Sequence, residues 1–231
     1  MKTIGIIGAM DEEIALMKEA SEVVVAKNIL GMDFYIAKYS GKNIVIVKSG
    51  IGKVNAAVCT QVLIDHFAVD CIINVGVAGA VNKKLKIGDI VISTDTVEHD
   101  MDASELGDPV GTIPRMDKSF FEADEELIKI AIKVAENFEN CNVYKGRIAS
   151  GDQFISSSQQ KQRLHDLFGA YCAEMEGAAI GHTCYLNKLP FLVIRSISDN
   201  ADGEAGISFT EFAKTAAIKS GKMLQYLLKE I

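Results

Sequence analysis

The chain has 231 residues, a net charge of -7 at pH 7 and a hydrophobic content of 48%. This composition excludes a disordered chain, and the absence of a linker-like segment predicts one domain over residues 1–231. No Lys/Arg block offers the many phosphate contacts that nucleic-acid binding requires. The 5 cysteines and 4 histidines lack metal-site spacing. With only a short apolar run at the N-terminus, we expect a cytoplasmic protein with no metal and no membrane association.

In chain order, short β-branched runs lead into glycine and then into helix-like segments, which is typical of alternating strands and helices. The runs are apolar almost without interruption, as expected of strands covered on both faces. They lie at 44–47, 72–75, 90–92 and 191–194. Segments from Glu125 and from Phe209 carry apolar residues at three- and four-residue spacing, which predicts amphipathic helices. We therefore predict an α/β fold, a three-layer α/β/α sandwich.

Glycine-containing segments follow the predicted strands, where open α/β sheets bind ligands. They are "GIIGAM", "SGIGKVN" and "NVGVAGA". None completes a dinucleotide fingerprint, and Lys53 in "GIGKVN" lacks the spacing and the Ser/Thr of a phosphate loop. These glycines serve either a ligand loop or only tight turns, and no nucleotide cofactor is predicted. The Asp-, Gly- and Pro-rich segment 98–116 is predicted to be a long loop at a site or an interface.

Acidic residues stand at two of the predicted strand ends. Glu12 and Glu13 follow the first strand, and Asp199 follows the buried run that ends in "RSIS". An acid in this position is placed to meet a ligand. For Glu12 and Glu13 the alternative is a pair of acids that favours a helix N-terminus, and for Asp199 it is a turn-forming Asp-Asn pair.

The segment "AEMEG" places Glu174 and Glu176 one residue apart within an apolar stretch. In an extended chain both side chains point to one face, with Met175 on the other. Two carboxylates on one face can accept hydrogen bonds from a polyol. The alternative is that both acids lie in water in the first turn of a helix.

Several motifs together resemble a known family across nearly the whole chain. They are, in order, "IGIIGAMDEE", "SGIGKVNAA", "INVGVAGA", "KIGDIVIS", "SGDQFI", "AEMEGAAI" and "VIRSISDNAD". The chain resembles the 5′-methylthioadenosine/S-adenosylhomocysteine nucleosidases of the nucleoside phosphorylase superfamily. The resemblance implies an α/β/α sandwich around a central mixed β-sheet and a homodimer without cofactor. It also implies cleavage of the N-glycosidic bond of adenine nucleosides, which releases adenine and a 5-thio-substituted ribose in methionine salvage.

The resemblance also implies roles for individual residues. Asp199 in "SDN" would protonate adenine N7, and Glu13 in "AMDEE" would activate the attacking water. Glu176 would bind the ribose hydroxyls, with Met175 and Glu174 close by. The other residues of the nucleoside pocket would be Phe154, Ile155, Ser198, Ile51, Met10, Ala9, Phe209, Ala78 and Gly79. Residues of the long loop would reach into the partner subunit's 5′ pocket; they are Ala103, Leu106 and Pro114.

The chain departs from the family pattern at two places. Val77 stands where the family usually has Ser, and Leu106 and Asp108 stand where bulky aromatic residues are common. Both changes leave the acids intact, and they concern the pocket around the sugar and its 5′ substituent. The preferred substituent is therefore not predicted.

Alternative functions follow from the same residues. They are an aminodeoxyfutalosine nucleosidase, a phosphate-dependent purine nucleoside phosphorylase and a non-catalytic nucleoside-binding relative. The first glycine loop is followed by acids rather than by Arg, which argues against phosphate as the nucleophile. A non-catalytic relative is expected to have lost Glu13, Glu176 or Asp199, and all of them are present.

Overall fold

The structure of the protein is a computed structural model that describes residues 3–136, 138, 141–200 and 205–231. The strands are β1 Thr3–Gly8, β2 Glu22–Ile29, β3 Met32–Tyr39, β4 Lys42–Lys48, β5 Cys71–Ala80, β6 Ile90–Glu98, β7 Phe120–Glu122, β8 Val143–Ser150, β9 Cys172–Glu174 and β10 Phe191–Asp199. The helices are α1 Asp11–Ala20, α2 Lys53–Phe67, α3 Glu125–Ala135, α4 Ser158–Phe168, α5 Gly177–Asn187 and α6 Ala205–Glu230.

One mixed β-sheet contains all of these strands. β1 lies parallel between β4 and β5, and the β2–β3–β4 hairpins extend one end of the sheet with antiparallel pairing. β10 pairs with both β5 and β6, while β8 and β9 complete the path from β6 back to β5. The predicted mixed sheet is confirmed. Its closure into a ring of strands at one end is a feature that no local pattern predicted.

Helices cover both faces of the sheet. A Cβ atom at Gly5 would lie 3.1 Å from Leu63 of α2, whereas one at Gly8 would lie 2.8 Å from Ile14 of α1. Side chains alternate along a strand, so positions 5 and 8 face opposite sides and α1 and α2 lie on opposite faces. The nearly continuous apolar runs lie in β4, β5, β6 and β10 and are buried there, as predicted.

The carboxyl ends of β1, β4, β5 and β10 meet at one edge because neighbouring strands among them are parallel. The Ser49 N–H continues this alignment beyond β4 by donating to the Gly8 carbonyl oxygen at 2.9 Å. Next, Gly50 and Gly52 turn the chain with φ of 84° and 98°. Glycine adopts positive φ at little cost, and the turn allows α2 to begin at Lys53. Acids and glycine loops that lie far apart in sequence are thereby gathered at one edge.

The prediction of an extended "AEMEG" is wrong beyond Glu174. β9 ends at Glu174, and Glu176 is the N-cap residue of α5, with φ of -133° and ψ of -40°. The helix-start alternative is correct for the backbone, but its expectation that the acids lie in water is wrong. Glu174 and Glu176 are only 7% and 6% exposed. Strand, turn and helix succeed one another within five residues, too short a span for a periodic pattern to develop.

The predicted amphipathic helices are present. α3 begins at Glu125 as predicted, and the Asp124 carboxylate caps it by accepting a hydrogen bond from the Leu127 N–H at 2.9 Å. α6 begins at Ala205, before the predicted start at Phe209. Within the part of the chain described, no helix combines the length and the apolar character needed to cross a bilayer.

Candidate active site

A pocket of about 360 Å³ lies at the carboxyl ends of β1, β5 and β10. It brings together the residues that the family resemblance implied for the nucleoside pocket. They are Ala9, Met10, Glu13, Ile51, Ala78, Gly79, Phe154, Ile155, Glu174, Met175, Glu176, Ser198, Asp199 and Phe209. Val77, Gln153 and Ala173 complete the lining. A larger surface depression of about 570 Å³ beside α5 contains none of the predicted residues.

Glu13 lies in the first turn of α1 and is 4% exposed. Its Oε2 accepts hydrogen bonds from the N–H groups of Ala9 (2.7 Å) and Met10 (3.1 Å). Its Oε1 accepts one from the N–H of Val77 at 3.0 Å. Position 76 is glycine, and a Cβ atom there would collide with the carboxylate. The hydrogen bond from position 77 to Glu13 comes from the backbone N–H. Valine therefore makes this hydrogen bond although it lacks the side-chain hydroxyl of serine.

The surroundings of Glu13 favour proton exchange. Burial raises the pKa of the Glu13 carboxyl above its ordinary value, whereas the Arg195 guanidinium and the backbone N–H donors oppose this rise. A carboxylate with a raised pKa is a stronger base than an exposed glutamate. Glu13 is therefore suited to take a proton from a water molecule in the pocket.

Glu174 and Arg195 form a buried ion pair next to the pocket. The Arg195 Nε donates to Oε2 of Glu174 at 3.1 Å, and its Nη2 donates to the same oxygen. Glu174 also accepts hydrogen bonds from the Ser150 hydroxyl and, at 2.8 Å, from the N–H of Gly177 where α5 begins. Removing one partner of such a pair leaves an uncompensated buried charge. Both carboxylate oxygens of Glu174 therefore accept hydrogen bonds from the protein itself. The ion pair also places Nη2 of Arg195 3.9 Å from Oε2 of Glu176.

Glu176 is oriented by a different loop. Its Oε1 accepts a hydrogen bond from the N–H of Gly52 at 2.8 Å, while its Oε2 has no hydrogen-bond donor among the described residues. Burial and the charge of Glu174 raise the pKa of Glu176 to about 8, although Arg195 and the Gly52 N–H lower it. The carboxyl group therefore keeps an oxygen available for a ligand hydroxyl, which Glu174 does not.

Asp199 lies at the end of β10 and is 2% exposed. Its Oδ2 accepts a hydrogen bond from the Lys161 ammonium at 2.8 Å, and its Oδ1 accepts one from the Ser198 hydroxyl at 3.0 Å. A Cβ atom at Gly79 would lie 2.8 Å from Oδ2. Glycine at position 79 therefore allows the carboxyl group to pack directly against β5.

Apolar residues form the outer part of the pocket. The rings of Phe154 and Phe209 meet edge to face, with centroids 5.7 Å apart. Phe154 and Ile51 are 49% and 54% exposed, although both line the pocket. Buried acids and an apolar rim together suit a ligand that has an aromatic ring and several hydroxyl groups.

The long-loop residues do not join this pocket within one chain. Ala103 and Pro114 are half-buried, and Leu106, in a 3₁₀ turn, is 82% exposed. None of them lines the cavity. An exposed leucine at a loop tip is compatible with a contact to a second subunit, and their role there stays a prediction.

Two residues next to the pocket, Arg195 and Lys161, had no function predicted from the sequence. Arg195 carried a signal, since a cation within a buried apolar strand requires a partner. Lys161 carried none, because a lysine in an amphipathic helix is ordinarily exposed. The structure instead places it on the buried stripe of α4 with Leu164 and Phe168.

Comparisons with known proteins assign this arrangement to a family. Residues 3–229 match the phosphorylase superfamily model. A 5′-methylthioadenosine/S-adenosylhomocysteine nucleosidase from Exiguobacterium is 43% identical over 99% of this chain and 98% of the relative. The enzyme of the same name from Staphylococcus saprophyticus is 44% identical over 99% of this chain and 100% of its own length. The chain belongs to the 5′-methylthioadenosine/S-adenosylhomocysteine nucleosidase family.

Solved structures agree with this assignment. The nucleosidase of this family from Neisseria meningitidis, in complex with methylthio-immucillin-A, has a TM-score of 0.96 and 44% identity, with 100% of both chains covered. A futalosine hydrolase from Helicobacter pylori has a TM-score of 0.95 and 38% identity, covering 100% of this chain and 98% of that one. The resemblance stated from the motifs and the predicted nucleoside phosphorylase-like fold are thus confirmed.

Proposed function

We propose that this nucleosidase-family protein hydrolyses the N-glycosidic bond of 5′-methylthioadenosine and S-adenosylhomocysteine. The products are adenine and the 5-thio-substituted ribose, and the reaction serves methionine salvage. The observation that carries the proposal is the convergence of Glu13, Glu176 and Asp199 on one pocket in a chain 43% identical to a relative with this name. A non-catalytic nucleoside-binding protein would not need this set of acids.

The proposed chemistry explains why the pocket contains acids at separate positions. Adenine leaves as an anion unless it is protonated, while the sugar develops positive charge as the bond breaks. Asp199 would protonate N7, breaking its own O–H bond as the N–H bond forms, and Glu13 would accept a proton from the attacking water. Carboxylates near the sugar stabilise its positive charge, as in the hydrolysis of O-glycosides.

The remaining pocket residues would bind and orient the nucleoside. Glu176 has an oxygen available for the ribose hydroxyls, and the Met175 side chain would lie against the sugar. Phe154, at the rim, would stack on adenine, while the backbone of Ile155 would bind the edge of the base. Ile51 would line the region of the sugar and its 5′ substituent.

Water is a better nucleophile than phosphate for this pocket. Its lining contains no Lys or Arg among the described residues. Lys53, the cation of the "GIGK" loop, is paired with Glu98 at 3.2 Å and Asp100 at 2.7 Å. Phosphate needs cationic or amide donors and would be repelled by the buried acids. This charge distribution supports a hydrolase rather than a phosphorylase.

The direct test is adenine release in phosphate-free buffer. We expect the purified protein to release adenine from methylthioadenosine and S-adenosylhomocysteine at a rate that added phosphate does not change. Adenine release that requires phosphate would instead identify a phosphorylase. Tight binding without release would identify a nucleoside-binding protein.

A second substrate has support from one specific neighbour. The Helicobacter pylori structure with a TM-score of 0.95 is a futalosine hydrolase, which makes a futalosine-type nucleoside the second candidate substrate. The exposed Leu106 stands where bulky aromatics are common in the family. Assays with aminodeoxyfutalosine, adenosine and 5′-deoxyadenosine beside the two thio-nucleosides would rank the substrates by kcat/KM.

Replacing Glu176 by glutamine is expected to lower kcat/KM by about 10- to 100-fold. This range corresponds to about 1.4–3 kcal/mol, the cost of leaving a buried hydrogen-bonding group without its partner. Glutamine keeps an acceptor for the Gly52 N–H but places an NH₂ group where Oε2 would accept from a ribose hydroxyl. Steady-state kinetics with methylthioadenosine would measure the effect, and Glu19→Gln on the exposed side of α1 is the matched control. Equal kcat/KM values for both variants would refute the proposed ribose contact.

We further propose that residues 1–231 form one domain and that the active protein is a cytoplasmic homodimer. The family model spans residues 3–229, which supports one domain. The exposure of Leu106 in the predicted interface loop supports a dimer in which Ala103, Leu106 and Pro114 complete the partner's 5′ pocket. Light scattering of the purified protein would measure its mass in solution.

A further inference from the structure

Lys161 is the buried cation closest to the proposed acid. It lies on the apolar stripe of α4 and is 1% exposed, in a position that would ordinarily hold a leucine or a methionine. Its ammonium group donates to Oδ2 of Asp199 at 2.8 Å and also to the backbone carbonyl oxygen of Asn200. Burying an ammonium costs free energy unless it is paired. The fold thus places a cation beside Asp199, where an apolar residue would pack at lower cost.

The Asp199 carboxyl group has a defined partner for each oxygen. Lys161 holds Oδ2, and the Ser198 hydroxyl donates to Oδ1 at 3.0 Å. Gly79 of β5 packs against the same group. Contacts on several sides restrict rotation of the carboxyl plane and fix its direction relative to the pocket.

We propose that Lys161 is a positioning residue that holds the Asp199 carboxyl group and stabilises the carboxylate formed when its proton passes to adenine. This inference rests on the proposed function, because it requires Asp199 to be the proton donor. As the O–H bond breaks and the N7–H bond forms, the electron pair stays on a carboxylate beside the ammonium. A fixed positive charge near a developing negative charge lowers the barrier.

Of the described groups that surround Asp199, Lys161 is the one that brings a positive charge into contact with its carboxyl group. α4 contributes Lys161, and β5 contributes the backbone of Ala78 and Gly79. β9 contributes the thiol of Cys172, which interacts with Asp199 and whose pKa is raised by burial, so that it stays neutral. On β10 the nearest partner is the neutral Ser198 hydroxyl. Among the described residues, Lys161 is therefore the cation that acts directly on this carboxyl group.

The test compares Lys161→Met, which keeps an unbranched side chain without charge, with Lys161→Arg, which keeps the charge. For Lys161→Met we expect kcat for adenine release to fall by about 10- to 100-fold, the effect of losing a charge-assisted hydrogen bond, with KM within about 3-fold. Lys161→Arg should restore most of the wild-type kcat, because it keeps a positive charge beside Asp199.

Controls separate this inference from folding and from the proposed function. Lys145→Met removes an exposed lysine and should leave kcat and KM unchanged. Thermal unfolding identifies folded variants, and Lys161→Gln replaces Lys161→Met if the latter does not fold. A wild-type kcat in the uncharged variant would overturn the inference, as would a kcat loss that only follows the folded fraction or that Lys161→Arg does not restore. Absence of adenine release by the wild type would instead overturn the proposed function.

Discussion

Replacing Asp199 by asparagine is expected to reduce kcat for adenine release by about 1,000-fold, within the range of 10²–10⁴ typical of general acid catalysis. Asparagine has the same shape but no acidic proton for N7. Its carbonyl oxygen can accept from Lys161, and its amide can donate to the Ser198 hydroxyl, which also acts as an acceptor. We therefore expect the variant to fold and to bind adenine nucleosides.

The measurement is single-turnover adenine release from methylthioadenosine, with thermal unfolding as the check of folding. Asp117→Asn is the matched control, since Asp117 is exposed and lies outside the pocket. A folded Asp199→Asn variant with a near-normal rate would exclude Asp199 as the proton donor. Loss of activity together with loss of folding would assign Asp199 a structural role instead.

Replacing Glu13 by glutamine is expected to impair catalysis and stability together. Both carboxylate oxygens accept backbone hydrogen bonds, Oε2 from Ala9 and Met10 and Oε1 from Val77. A glutamine must turn its NH₂ group towards one of these N–H donors, which leaves a buried donor unsatisfied at a cost of about 1–3 kcal/mol. Loss of the base is expected to lower kcat by about 10²- to 10⁴-fold.

Urea unfolding and steady-state kinetics of the same preparation would separate the two effects. Glu12→Gln is the matched control, because Glu12 is the exposed neighbour in the same turn. A Glu13→Gln variant that loses stability but keeps the wild-type kcat would show that Glu13 only holds the loop after β1. Asp199→Asn should also lose activity, and it should lose some stability because the buried Lys161 ammonium then has only neutral acceptors.

The positions of the buried strands could be predicted from the sequence, because a strand that is covered on both faces needs apolar residues at consecutive positions. The run at 72–75 lies in β5 and the run at 191–194 in β10, and both are fully covered. The pairing of β10 with both β5 and β6 was not predictable from these runs. Strand order depends on contacts between distant segments, and similar apolar runs do not specify which partner each one chooses.

The sequence predicted which residues form the candidate site, but not which hydrogen bonds and ion pairs they make. The motifs named Glu13, Glu176 and Asp199, and the structure places all of them around one pocket. The pattern in "AEMEG" treated Glu174 and Glu176 as equivalent. They differ because Glu174 accepts hydrogen bonds from Arg195 of β10, whereas Oε1 of Glu176 accepts one from the backbone N–H of Gly52 and its Oε2 lies 3.9 Å from Arg195.

Local patterns in the sequence indicate where buried strands and amphipathic helices form, which acids stand at strand ends, and which family the motifs resemble. The three-dimensional packing sets which carboxyl oxygens accept hydrogen bonds from the protein and which stay available to a ligand. Lys161 meets Asp199 because α4 packs beside the end of β10. Charge interactions depend on distance and burial in three dimensions, and neither follows from the spacing of residues along the chain.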